Sequence, residues 1–537
     1  MTGSPAPDGD LTVVVRLDPG IVASVTPPAV EGVRDRVVAE YTGLLQRLGI
    51  PGGVRAEVLA DVAPAAEAGD GRPPFRLEIG GRRCWFPDDV VLQAFAYSAG
   101  TANVPAALPE DLPDDVAEWV ALVCREAAAR APDLLLTTGQ ARAYCAGHGL
   151  VVEAPGELDR VHDALRRVVA LGRSIADGDA VRDVLRAAGP GAADELGETL
   201  AAALSNPRLT IRMEPTSLRQ LTWDHRADGL QTFQFLREGL FTELGLTLPP
   251  IHLHPDPALA PGGFAVDLDD LPGLPHIGLA PGTVLVNDSP ERLELLHVEG
   301  TSCLVPATSQ RGSIVSQDHA AILEAAGLTA WDQLGFLVLS LAGEVRRIGY
   351  RWIDRPTADL LLGRFALMFP QAERAARAGV PLDRLTVVLR DLLRDNLSIR
   401  NLRRILGVLT DAGLDGALPA DGRQAVDVVR TALRDEIGFR AKRGTATVTA
   451  YLLDPELEAE VAADVDDRRG RRLADALRRE LATLPPGAQP PVILTRRLFR
   501  TQVRAAVEPD FPRVRILSYD DLPPQANVQP VARISAD

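Results

Sequence analysis

The C-terminal part of the chain alternates strand and helix patterns, and this alternation constrains the fold more than any other feature of the sequence. Short runs rich in β-branched and apolar residues are typical of strands, and the segments between them carry the apolar stripe of amphipathic helices. The alternating strands and helices cover residues 445–453, 471–484, 491–494, 497–507 and 514–518. Strands joined by crossover helices run parallel and are covered by those helices. We therefore predict a compact α/β domain over residues 445–531.

Other parts of the chain predict further domains of mixed type. A length of 537 residues is too great for one hydrophobic core and indicates roughly three to five domains. Strand and helix patterns mix up to residue 367, whereas apolar helical stripes dominate from residue 368 to residue 444. The predicted architecture is α+β and α/β multidomain, with these segments in order: a disordered N-terminus (1–10), an N-terminal α+β region (11–205), α+β docking subdomains (206–367), a helical subdomain (368–444), the α/β domain (445–531) and a tail (532–537).

One succession of predicted elements occurs twice. A strand, a long helix that ends at glycine and further short strands begin near residue 11 and again near residue 209. A later helix carries Glu126 in the first case and Glu344, 218 positions further along, in the second. We therefore predict a divergent tandem duplication in which residues 11–205 correspond to residues 206–440. The alternative, that two unrelated α+β domains share an order of elements, stays open.

The charge composition excludes several function classes. A net charge of −16 argues against a general nucleic-acid-binding protein, whose phosphate contacts need a basic surface. Lys442 is the only lysine, and it does not stand in the Gly-Lys-Ser/Thr context of a phosphate-binding loop. Catalysis through a Schiff base at another lysine is excluded for the same reason. The acidity is compatible with basic or amphipathic protein partners.

The cysteines and the apolar stretches predict a soluble, cytoplasmic protein. Four cysteines are scattered without a Cys-x-x-Cys pair, which is typical of a reducing compartment without structural disulfides. They are Cys84, Cys124, Cys145 and Cys303. Residues 1–10 lack the charged start and apolar core of a signal peptide. The best apolar stretch, 334–342, is far shorter than the roughly 20 residues that span a bilayer.

Few residue patterns favour catalysis or metal binding. His252 and His254 occupy alternate positions of a predicted strand, so both imidazoles would lie on one face and could share a metal. The aspartates of 464–467 lack the spacing of a calcium loop. Cys303 and His297 are close in sequence, which does not place them together in a folded nucleophile–base pair. We predict no catalytic residue, no metal and no cofactor, and keep a metal-dependent enzyme as an alternative.

Three C-terminal segments carry short motifs. Residues 392–406 are leucine-rich and end in Ser-Ile-Arg-Asn-Leu-Arg-Arg-Ile-Leu, and residues 453–458 read Leu-Asp-Pro-Glu-Leu-Glu. Residues 490–495, 498–500 and 514–519 read Pro-Pro-Val-Ile-Leu-Thr, Leu-Phe-Arg and Val-Arg-Ile-Leu-Ser-Tyr. In this order the segments resemble motifs of the FHIPEP family, the FlhA-like export gates of flagellar and virulence type III secretion. The family's leucine-rich segment ends in (Ser or Pro)-Ile-Arg-Asp-(Leu or Met)-Arg-Thr-Ile-Leu, its last domain starts with Leu-Asp-Pro-Glu-Leu-Glu, and its closing elements are Pro-Pro-Val-Leu-Leu, Leu-Arg and Val-Leu-Ser-Tyr.

The similarity extends upstream, and family positions can be assigned residue by residue. Residues 326–332 and 343–347 resemble the family's Gly-Tyr-Thr-Val-Val-Asp and Ser-Glu-Val-Ile-Arg-Arg segments. The family's Thr-His-Leu falls on 340–342 without its histidine, and its Gly-Arg-Gln-Glu falls on 354–357 with only the arginine kept. The serine of the leucine-rich segment is also predicted to cap a helix over 399–409. The positions that carry the resemblance are Glu344, Arg347, Ser398, Ile399, Arg400, Leu402, Asp454, Pro455, Glu456, Pro491, Leu498, Arg500, Ser518 and Tyr519.

The resemblance implies a fold and a function. The cytosolic part of these gates has small thioredoxin-like and ferredoxin-like α/β subdomains and a helical subdomain. It assembles as a ring beneath the pore and receives chaperone–substrate complexes and export cargo in a cleft between subdomains. We expect the docking half without the membrane gate, with residues 1–205 in place of the channel. The expected protein is a non-enzymatic platform at the inner face of the plasma membrane, which binds export chaperones, cargo or export-apparatus components and forms an oligomer.

The predicted binding residues lie where aromatic side chains are locally frequent. Only 4% of the chain is aromatic, yet several aromatic and leucine residues fall between positions 336 and 369. Exposed apolar side chains in a cleft suit the capture of an amphipathic helix, and the resemblance places the family's docking cleft nearby. The predicted protein-binding residues are Phe336, Trp352, Thr357, Phe365 and Phe369. The alternative function is an adaptor that keeps the fold but binds a partner unrelated to secretion.

Overall fold

The computed structural model describes the chain from Asp10 to Ser535 apart from short gaps. The residues outside the description are 1–9, 19–20, 22–26, 61–74, 85, 87, 106–107, 110, 151, 153–155, 189–192, 225–228, 307–310, 417, 420–421, 443, 464–467, 483–490, 509–510, 512–513 and 536–537. The predicted N-terminal disorder and the predicted aspartate-rich loop at 464–467 therefore lie outside the described residues. The chain folds as two compact units, one of residues 1–240 with 247–355 and one of residues 241–246 with 356–537.

The first unit begins with a four-stranded sheet. Its strands are β1 (Leu11–Leu17), β2 (Val54–Ala60), β3 (Phe75–Ile79) and β4 (Arg82–Cys84), in the order β2-β1-β3-β4. Strand β1 runs parallel to β2 and antiparallel to β3, and helix α1 (Pro27–Leu48) connects the two parallel strands. Every second residue of β1 is fully buried, because successive side chains of a strand point to opposite faces.

Between this sheet and the next one, the described residues form six α-helices. They are α2 (Asp88–Ser98), α3 (Val116–Arg130), α4 (Thr138–Gly147), α5 (Glu157–Ala170), α6 (Gly178–Ala187) and α7 (Ala193–Ala203), with a 3-10 helix at Pro132–Leu135. Trp119 of α3 is fully buried and packs edge-on against Phe75 of β3, with ring centroids 5.9 Å apart. One hydrophobic core therefore joins the sheet to α3, and it also includes Leu271 and Ile277 from further along the chain.

A second four-stranded sheet has the same topology as the first. Its strands are β5 (Leu209–Met213), β6 (Ile251–Pro255), β7 (Gly263–Leu268) and β8 (Pro275–Ile277), in the order β6-β5-β7-β8. Again the first strand is parallel to the second and antiparallel to the third, and helices α8 (Pro215–Asp224) and α9 (Gly229–Leu244) connect the parallel pair. Both sheets are therefore β-α-β-β-β arrangements.

A third sheet is inserted before the next long helix, α12 (Gln333–Ile348). It contains β9 (Thr283–Val286), β10 (Gly300–Leu304), β11 (Arg311–Ser316) and β12 (Ala330–Trp331), in the order β10-β11-β9-β12, with short helices α10 (Pro290–Glu294) and α11 (Ala320–Ala325). Only β9 and α12 were predicted from the sequence. Strands β10 and β11 were missed because Gly, Ser and Arg interrupt their apolar pattern.

Helices make up most of the second unit up to residue 442. They are α13 (Arg355–Ala366), α14 (Pro370–Gly379), α15 (Leu382–Arg394), α16 (Leu402–Leu414), α17 (Gly422–Ala432) and α18 (Arg434–Lys442). The apolar stripe of α15 fills the interior, since Val388, Leu389 and Leu392 are fully buried. The apolar pattern of residues 424–436 predicts one helix, whereas the structure has two helices there, which meet at Leu433.

The C-terminal part of the second unit is the predicted parallel α/β fold with one strand more. Strands β13 (Val448–Leu453), β14 (Val492–Thr495) and β15 (Ile516–Ser518) are parallel neighbours, and helices α19 (Pro455–Ala463), α20 (Arg468–Ala482) and α21 (Arg500–Val507) connect them. A fourth strand, β16 (Val528–Ile534), pairs in parallel with the other edge of β13. The expected tail from 532 was therefore placed three residues too early.

The compact units divide the chain differently from the predicted segments. Residues 11–205 and the two sheets that follow form a single unit, and that unit ends at Arg355 rather than at residue 367. Burial explains this boundary, because Arg351 to Asp354 are all buried whereas Pro356 is exposed. Across the described part of the chain, no helix is both long enough and apolar enough to cross a membrane.

Candidate functional site

Two of the predicted binding residues belong to the core of the first unit. Phe336 in α12 and Trp352 in the 3-10 helix Gly349–Trp352 expose only 4% and 3% of their surface. The indole N–H of Trp352 donates a hydrogen bond of 3.1 Å to Asp269 Oδ1, and Phe336 packs edge-on against Phe264. The prediction of these two residues as docking residues was wrong, because a partner cannot reach side chains that fill a core.

The other three predicted binding residues lie on or beside an exposed apolar ridge of the second unit. We define the ridge as Leu360, Leu367, Met368 and Phe369, which expose 55%, 83%, 76% and 36% of their surface. The ring centroid of Phe365 lies 5.0 Å from that of Phe369, and Thr357 is half-buried in the first turn of α13. Clustered apolar side chains of this size that stay in solvent are a feature of interaction surfaces.

A tight turn between α13 and α14 places Leu367, Met368 and Phe369 of the ridge toward solvent. The amides of Met368 and Phe369 both donate to the carbonyl oxygen of Phe365, over 3.1 and 2.9 Å, and Pro370 then begins α14. The guanidinium of Arg403 lies 5.0 Å from the centre of the Phe369 ring, a cation–π distance. Sequence reasoning missed Leu367 and Met368, although an apolar triplet directly before a helix-starting proline breaks the core-facing period and was the available signal.

A cavity of about 580 Å3 opens in the first unit. Parts of the second and third sheets and helices α8 and α12 line it, together with the loop that follows α2. Its apolar lining includes Met213, Leu221, Phe264, Ile277, Leu279 and Leu337. The side chain of Gln333 donates to the carbonyl oxygen of Leu279 over 2.9 Å and so fixes one wall. No local sequence pattern predicts this cavity, because its lining comes from segments far apart in the chain.

The family positions Glu344 and Arg347 lie in a partly buried ion network of the first unit. Arg347 pairs with Glu344 on α12 and lies 3.2 Å from Glu126 of α3, and Glu126 also pairs with Arg130 over 3.1 Å. Burial opposes the charge of Glu344, but Arg347 holds the pKa of that carboxyl below its usual value. The network therefore ties α3 of the N-terminal region to α12.

The leucine-rich family segment is extended at its centre rather than helical. The amide of Ile399 donates to the carbonyl oxygen of Leu244 over 2.9 Å, and the amide of Arg400 donates to Ser398 Oγ over 3.3 Å. Helix α16 begins only at Leu402, and Asn401 is its N-cap. The prediction of Ser398 as N-cap was therefore wrong, because its hydroxyl serves a turn outside the helix.

Family positions in the C-terminal α/β fold shape helix ends and turns. Asp454 Oδ1 accepts from the amide of Glu456 over 2.9 Å, and Pro455 occupies the first position of α19, where a missing amide proton is tolerated. The amide of Ser518 donates to Asp521 Oδ2 over 2.7 Å. Pro491 is buried before β14. By contrast, Leu498 and Tyr519 are exposed, by 79% and 51%.

Arg500 belongs to a buried charge cluster of the second unit. Its guanidinium contacts Asp395 and Asp427 over 3.1 and 3.0 Å. Arg430 pairs with Asp521 over 2.7 Å and also with Asp395. Burial opposes the charge of Asp521, but Arg430 holds the pKa of its carboxyl below the usual value. The cluster joins helices α17 and α21 to the turn after β15 of the parallel sheet.

The other candidate sites from the sequence are not assembled by the fold. His252 and His254 are exposed on the edge strand β6, and within the described residues no group of three His, Cys, Asp or Glu side chains could hold a metal ion. Cys303 is buried, and burial raises the pKa of its thiol to about 12, which opposes formation of a nucleophilic thiolate. All four cysteines are buried and free of disulfides.

Comparison with known proteins gives relatives of one kind. Residues 177–527 match the FHIPEP family. "Low calcium response locus protein D" of Yersinia pestis is 26% identical over 352 residues, which cover 63% of this chain and 49% of that protein. "Hypersensitivity response secretion protein HrcV" of Ralstonia nicotianae is 27% identical over 381 residues, which cover 67% of this chain and 52% of that protein. The chain thus spans about half the length of these relatives.

The solved structures extend the likeness to the fold. Chlamydia pneumoniae CdsV, in its complex with CdsO, is 24% identical and superposes with a TM-score of 0.56 over 61% of this chain and 97% of the solved chain. Over 61% of this chain the fold is accordingly that of CdsV, with small sheets and many helices. The family match covers well over half of the chain, from residue 177 to residue 527. The resemblance found in the C-terminal motifs is confirmed, and the chain belongs to the FHIPEP family.

Proposed function

We propose that this protein is a non-enzymatic docking platform of a protein-secretion apparatus, which binds export chaperones, cargo or other components of the apparatus. The apolar ridge carries this proposal. Its four large apolar side chains are exposed to solvent within a segment of ten residues, and that segment lies inside the family match. Leaving them exposed is costly, and burial recovers roughly 1.5–3 kcal/mol for each fully covered side chain. A protein partner that covers the ridge would gain that free energy.

The charges around the ridge favour an amphipathic helix with acidic side chains as the occupant. The acidic residues nearest in sequence, Asp359 and Glu373, both pair with Arg377. Arg403 lies over the exposed ring of Phe369. An amphipathic helix that places its apolar stripe on the ridge would meet the guanidinium of Arg403 beside the Phe369 ring, which favours a carboxylate at that end of the stripe.

The complex of the relative CdsV with CdsO supports a protein partner for this chain as well. The family's secretion relatives support the choice of export proteins over unrelated partners. Association with the inner face of the membrane and assembly into an oligomer belong to the same proposal. They follow from the family resemblance, and the ridge itself does not require them.

Affinity capture tests the proposal. The full chain is used as bait in a lysate of the source organism, and captured proteins are identified by mass spectrometry. We expect an export chaperone, cargo or apparatus component with the wild type and its loss with the double variant Leu367→Asp/Met368→Asp. Leu414→Asp is the matched control, since Leu414 is 71% exposed at the far end of α16. Capture of metabolic enzymes alone would contradict the proposal, as would equal capture by both variants.

We also infer that the two β-α-β-β-β sheets arose by duplication, as the order of elements predicted. In both cases a long helix follows (α3 or α12), then a 3-10 helix (Pro132–Leu135 or Gly349–Trp352) and then another helix. Glu126 and Glu344 lie in the corresponding helices α3 and α12. A profile built from relatives of residues 11–147 should detect residues 206–366 above unrelated α+β domains. Failure to do so would leave convergence as the explanation.

A further inference from the structure

The proposed duplication relates a first copy (residues 11–205) to a second copy (residues 206–440), and it extends from the sheets into the helices that follow them. With a shift of 224 residues, α5 coincides with α15 to within one residue, and both carry Leu-Asp-Arg in their first turn. The same shift places residues 174–175 (Ser-Ile) on residues 398–399 of the leucine-rich family segment. Helix α6 then begins at the position that corresponds to the start of α16. The first copy therefore includes a helical part as well as a sheet.

The contacts of these matched residues repeat as well. The amide of Ile175 donates to the carbonyl oxygen of Leu48, the last residue of α1, over 2.8 Å. Its counterpart Ile399 donates to the carbonyl oxygen of Leu244, the last residue of α9, over 2.9 Å. In each copy a glycine follows that helix, and a Cβ on it would collide with the backbone nitrogen of the residue after the isoleucine. The first copy therefore has its own version of the family's leucine-rich turn.

A loop that is longer in the second copy makes contact with the first. Two residues join β3 to β4, whereas residues 269–274 join β7 to β8. The amide of Asp270 donates to the carbonyl oxygen of Gly172 over 3.3 Å, and Asp270 Oδ2 accepts from the amide of Ser174 over 3.0 Å. Leu271 of the same loop is buried in the hydrophobic core of the first copy. The loop thus combines backbone hydrogen bonds with an apolar side chain inserted into its partner.

Two arginines add to this contact. The guanidinium of Arg351 donates to the last two carbonyl oxygens of α3, over 3.1 Å each. Carbonyl groups at the C-terminus of a helix have no partner within the helix, so they bind a cation well. In the reverse direction, Arg125 of α3 donates to the carbonyl oxygen of Gly273 over 3.2 Å. We call residues 269–274 and 351–354 of the second copy the anchor face.

The first copy presents little apolar surface to solvent. Among the described residues it exposes one large apolar side chain, Leu59, and the others of this kind lie after residue 205. Surfaces that bind transient protein partners usually expose apolar patches, so the first copy is poorly suited to that role. Its contact with the anchor face, by contrast, has the buried apolar centre and the paired polar groups of a stable interface.

We infer that the anchor face is a binding surface for the export-gate fold itself, and that the first copy occupies it within the same chain. The partner that fits this surface in trans is the first copy of a second chain, which can exchange for the resident one when the contact loosens. A chain whose anchor face is filled in this way does not recruit a neighbour through it. The inference extends the proposed duplication, and it needs neither the apolar ridge nor the docking function.

Gly172 provides a variant that loosens the contact from the side of the first copy. It has a φ of 76°, and a Cβ on it would lie 2.8 Å from Leu271 Cδ1. Its counterpart Asn396 has a φ of 54°, so asparagine tolerates this backbone and Gly172→Asn should act mainly by displacing Leu271. Gly81→Asn is the matched control, because Gly81 has a φ of 77° and a Cβ there would meet no atom within 4 Å.

Leu271→Asp is the complementary variant, since it places a carboxylate in the apolar centre and leaves the first copy unchanged. A protease site is inserted between the exposed residues Asn206 and Pro207, and each full chain is cut after purification. Native mass spectrometry over a dilution series measures how tightly the two pieces hold together. We expect dissociation constants at least about tenfold above the wild type for Gly172→Asn and Leu271→Asp, and no change for Gly81→Asn.

Mixing the two loosened variants is the decisive measurement. The cut Leu271→Asp chain, labelled with 15N, supplies wild-type first copies, and the cut, unlabelled Gly172→Asn chain supplies intact anchor faces. We expect a labelled N-terminal piece to join an unlabelled C-terminal piece at concentrations where neither variant holds its own pieces together. Circular dichroism before cutting shows whether each variant folds. Asp270→Ala, which removes the carboxylate that accepts from Ser174, takes the place of Leu271→Asp if that variant does not.

Three results would overturn the inference. They are a Gly172→Asn chain that holds its pieces as tightly as the wild type, no labelled complex in the mixture, and an equal amount of that complex when the unlabelled chain carries Leu271→Asp. Failure here is distinguishable from failure of the docking function. Capture of export proteins depends on the ridge of the second unit, whereas exchange of the first copy depends on the anchor face of the first unit.

Discussion

Arg173 and Asp354 form an ion pair of 2.8 Å in which the two side chains expose only 2% and 1% of their surface. Asp354 also accepts from the hydroxyl of Ser205, and Arg173 donates to the carbonyl oxygen of Ala201. Arg173 follows α5 of the N-terminal region, and Asp354 follows the 3-10 helix after α12. The pair therefore fastens the N-terminal helices to the family fold of the first unit.

Replacing Arg173 by Met should destabilise the first unit by about 3–5 kcal/mol, because it leaves Asp354 buried without its counter-charge. Urea unfolding followed by tryptophan fluorescence measures this directly, since all five tryptophans lie between positions 85 and 352. Arg34→Met is the control. Arg34 pairs with Asp35 at the exposed surface, and its loss should change the free energy of unfolding by less than about 0.5 kcal/mol. Equal midpoints for both variants would show that the buried pair contributes nothing.

Asp269 should make the first unit less stable as pH rises. Burial raises the pKa of its carboxyl to about 6, although the amide of Arg208, the charge of Arg173 and the indole of Trp352 act in the opposite direction. An unfolded aspartate titrates near pH 3.9, so the folded state binds the proton more tightly. The stabilisation is fully present below about pH 4 and is lost as pH rises through about 6.

The variant Asp269→Asn should remove this pH dependence. The amide oxygen can still accept from Arg208 and Trp352, and asparagine tolerates the backbone φ of 53° at this position. At pH 8 the variant should be more stable than the wild type by up to about 3 kcal/mol, the equivalent of two pKa units. Urea midpoints between pH 4 and pH 8 are the measurement, with the exposed Asp35→Asn as control. A parallel fall of both curves would place the titration elsewhere.

The cysteines should react with thiol reagents only after unfolding. All four are buried, and burial raises the pKa of the thiols of Cys124, Cys145 and Cys303. Thiolate is the reactive form, so both access and ionisation oppose reaction at pH 8. Ellman's reagent should release less than about one equivalent quickly from native protein and four in urea. Rapid release of one equivalent from native protein would identify a thiol in an open conformation.

The apolar pattern of the sequence predicts strands and helices well where a single periodicity, that of a strand or that of a helix, dominates a segment. The sequence pattern predicts strands at Leu11–Leu17, Phe75–Ile79 and Leu209–Met213 and a helix at Leu382–Arg394. All four occur at these residues, because a strict alternation or a continuous apolar stripe allows only one type of element. Strands Gly300–Leu304, Arg311–Ser316 and Val528–Ile534 escaped prediction. Their residues are mostly polar or half-exposed, and pairing with a neighbouring strand, rather than their own pattern, makes them strands.

The candidate site could be predicted only in part for a related reason. Aromatic content indicated Phe365 and Phe369, but it could not separate them from Phe336 and Trp352, which are buried. Exposure depends on what the rest of the chain packs against, and a helical apolar residue belongs to the core more often than to a surface. The cavity depends on the meeting of residues 100–103 with residues 213–337, which no local pattern reports.

Substitution of Gly245 should destabilise the second unit more than substitution of Gly416, although both glycines have a positive φ. Gly245 has a φ of 77°, and a Cβ at this position would lie 2.6 Å from the backbone nitrogen of Arg400. Gly416 has a φ of 66°, and a Cβ there would meet no atom within 4 Å. Gly416→Ala should thus cost only the left-handed backbone penalty of about 1–2 kcal/mol.

Gly245→Ala should cost about 3 kcal/mol or more, because a steric clash adds to the same backbone penalty. The segment at Ile399 and Arg400 can relieve this clash only by losing the hydrogen bond from the amide of Ile399 to Leu244. Hydrogen–deuterium exchange of α15 and α16 measures the loss in the second unit. The tryptophan-detected transition should stay unchanged, since every tryptophan lies before residue 353. Equal exchange in the two variants would mean that the segment at Arg400 shifts freely, and the family's leucine-rich motif would then not depend on a close approach to Gly245.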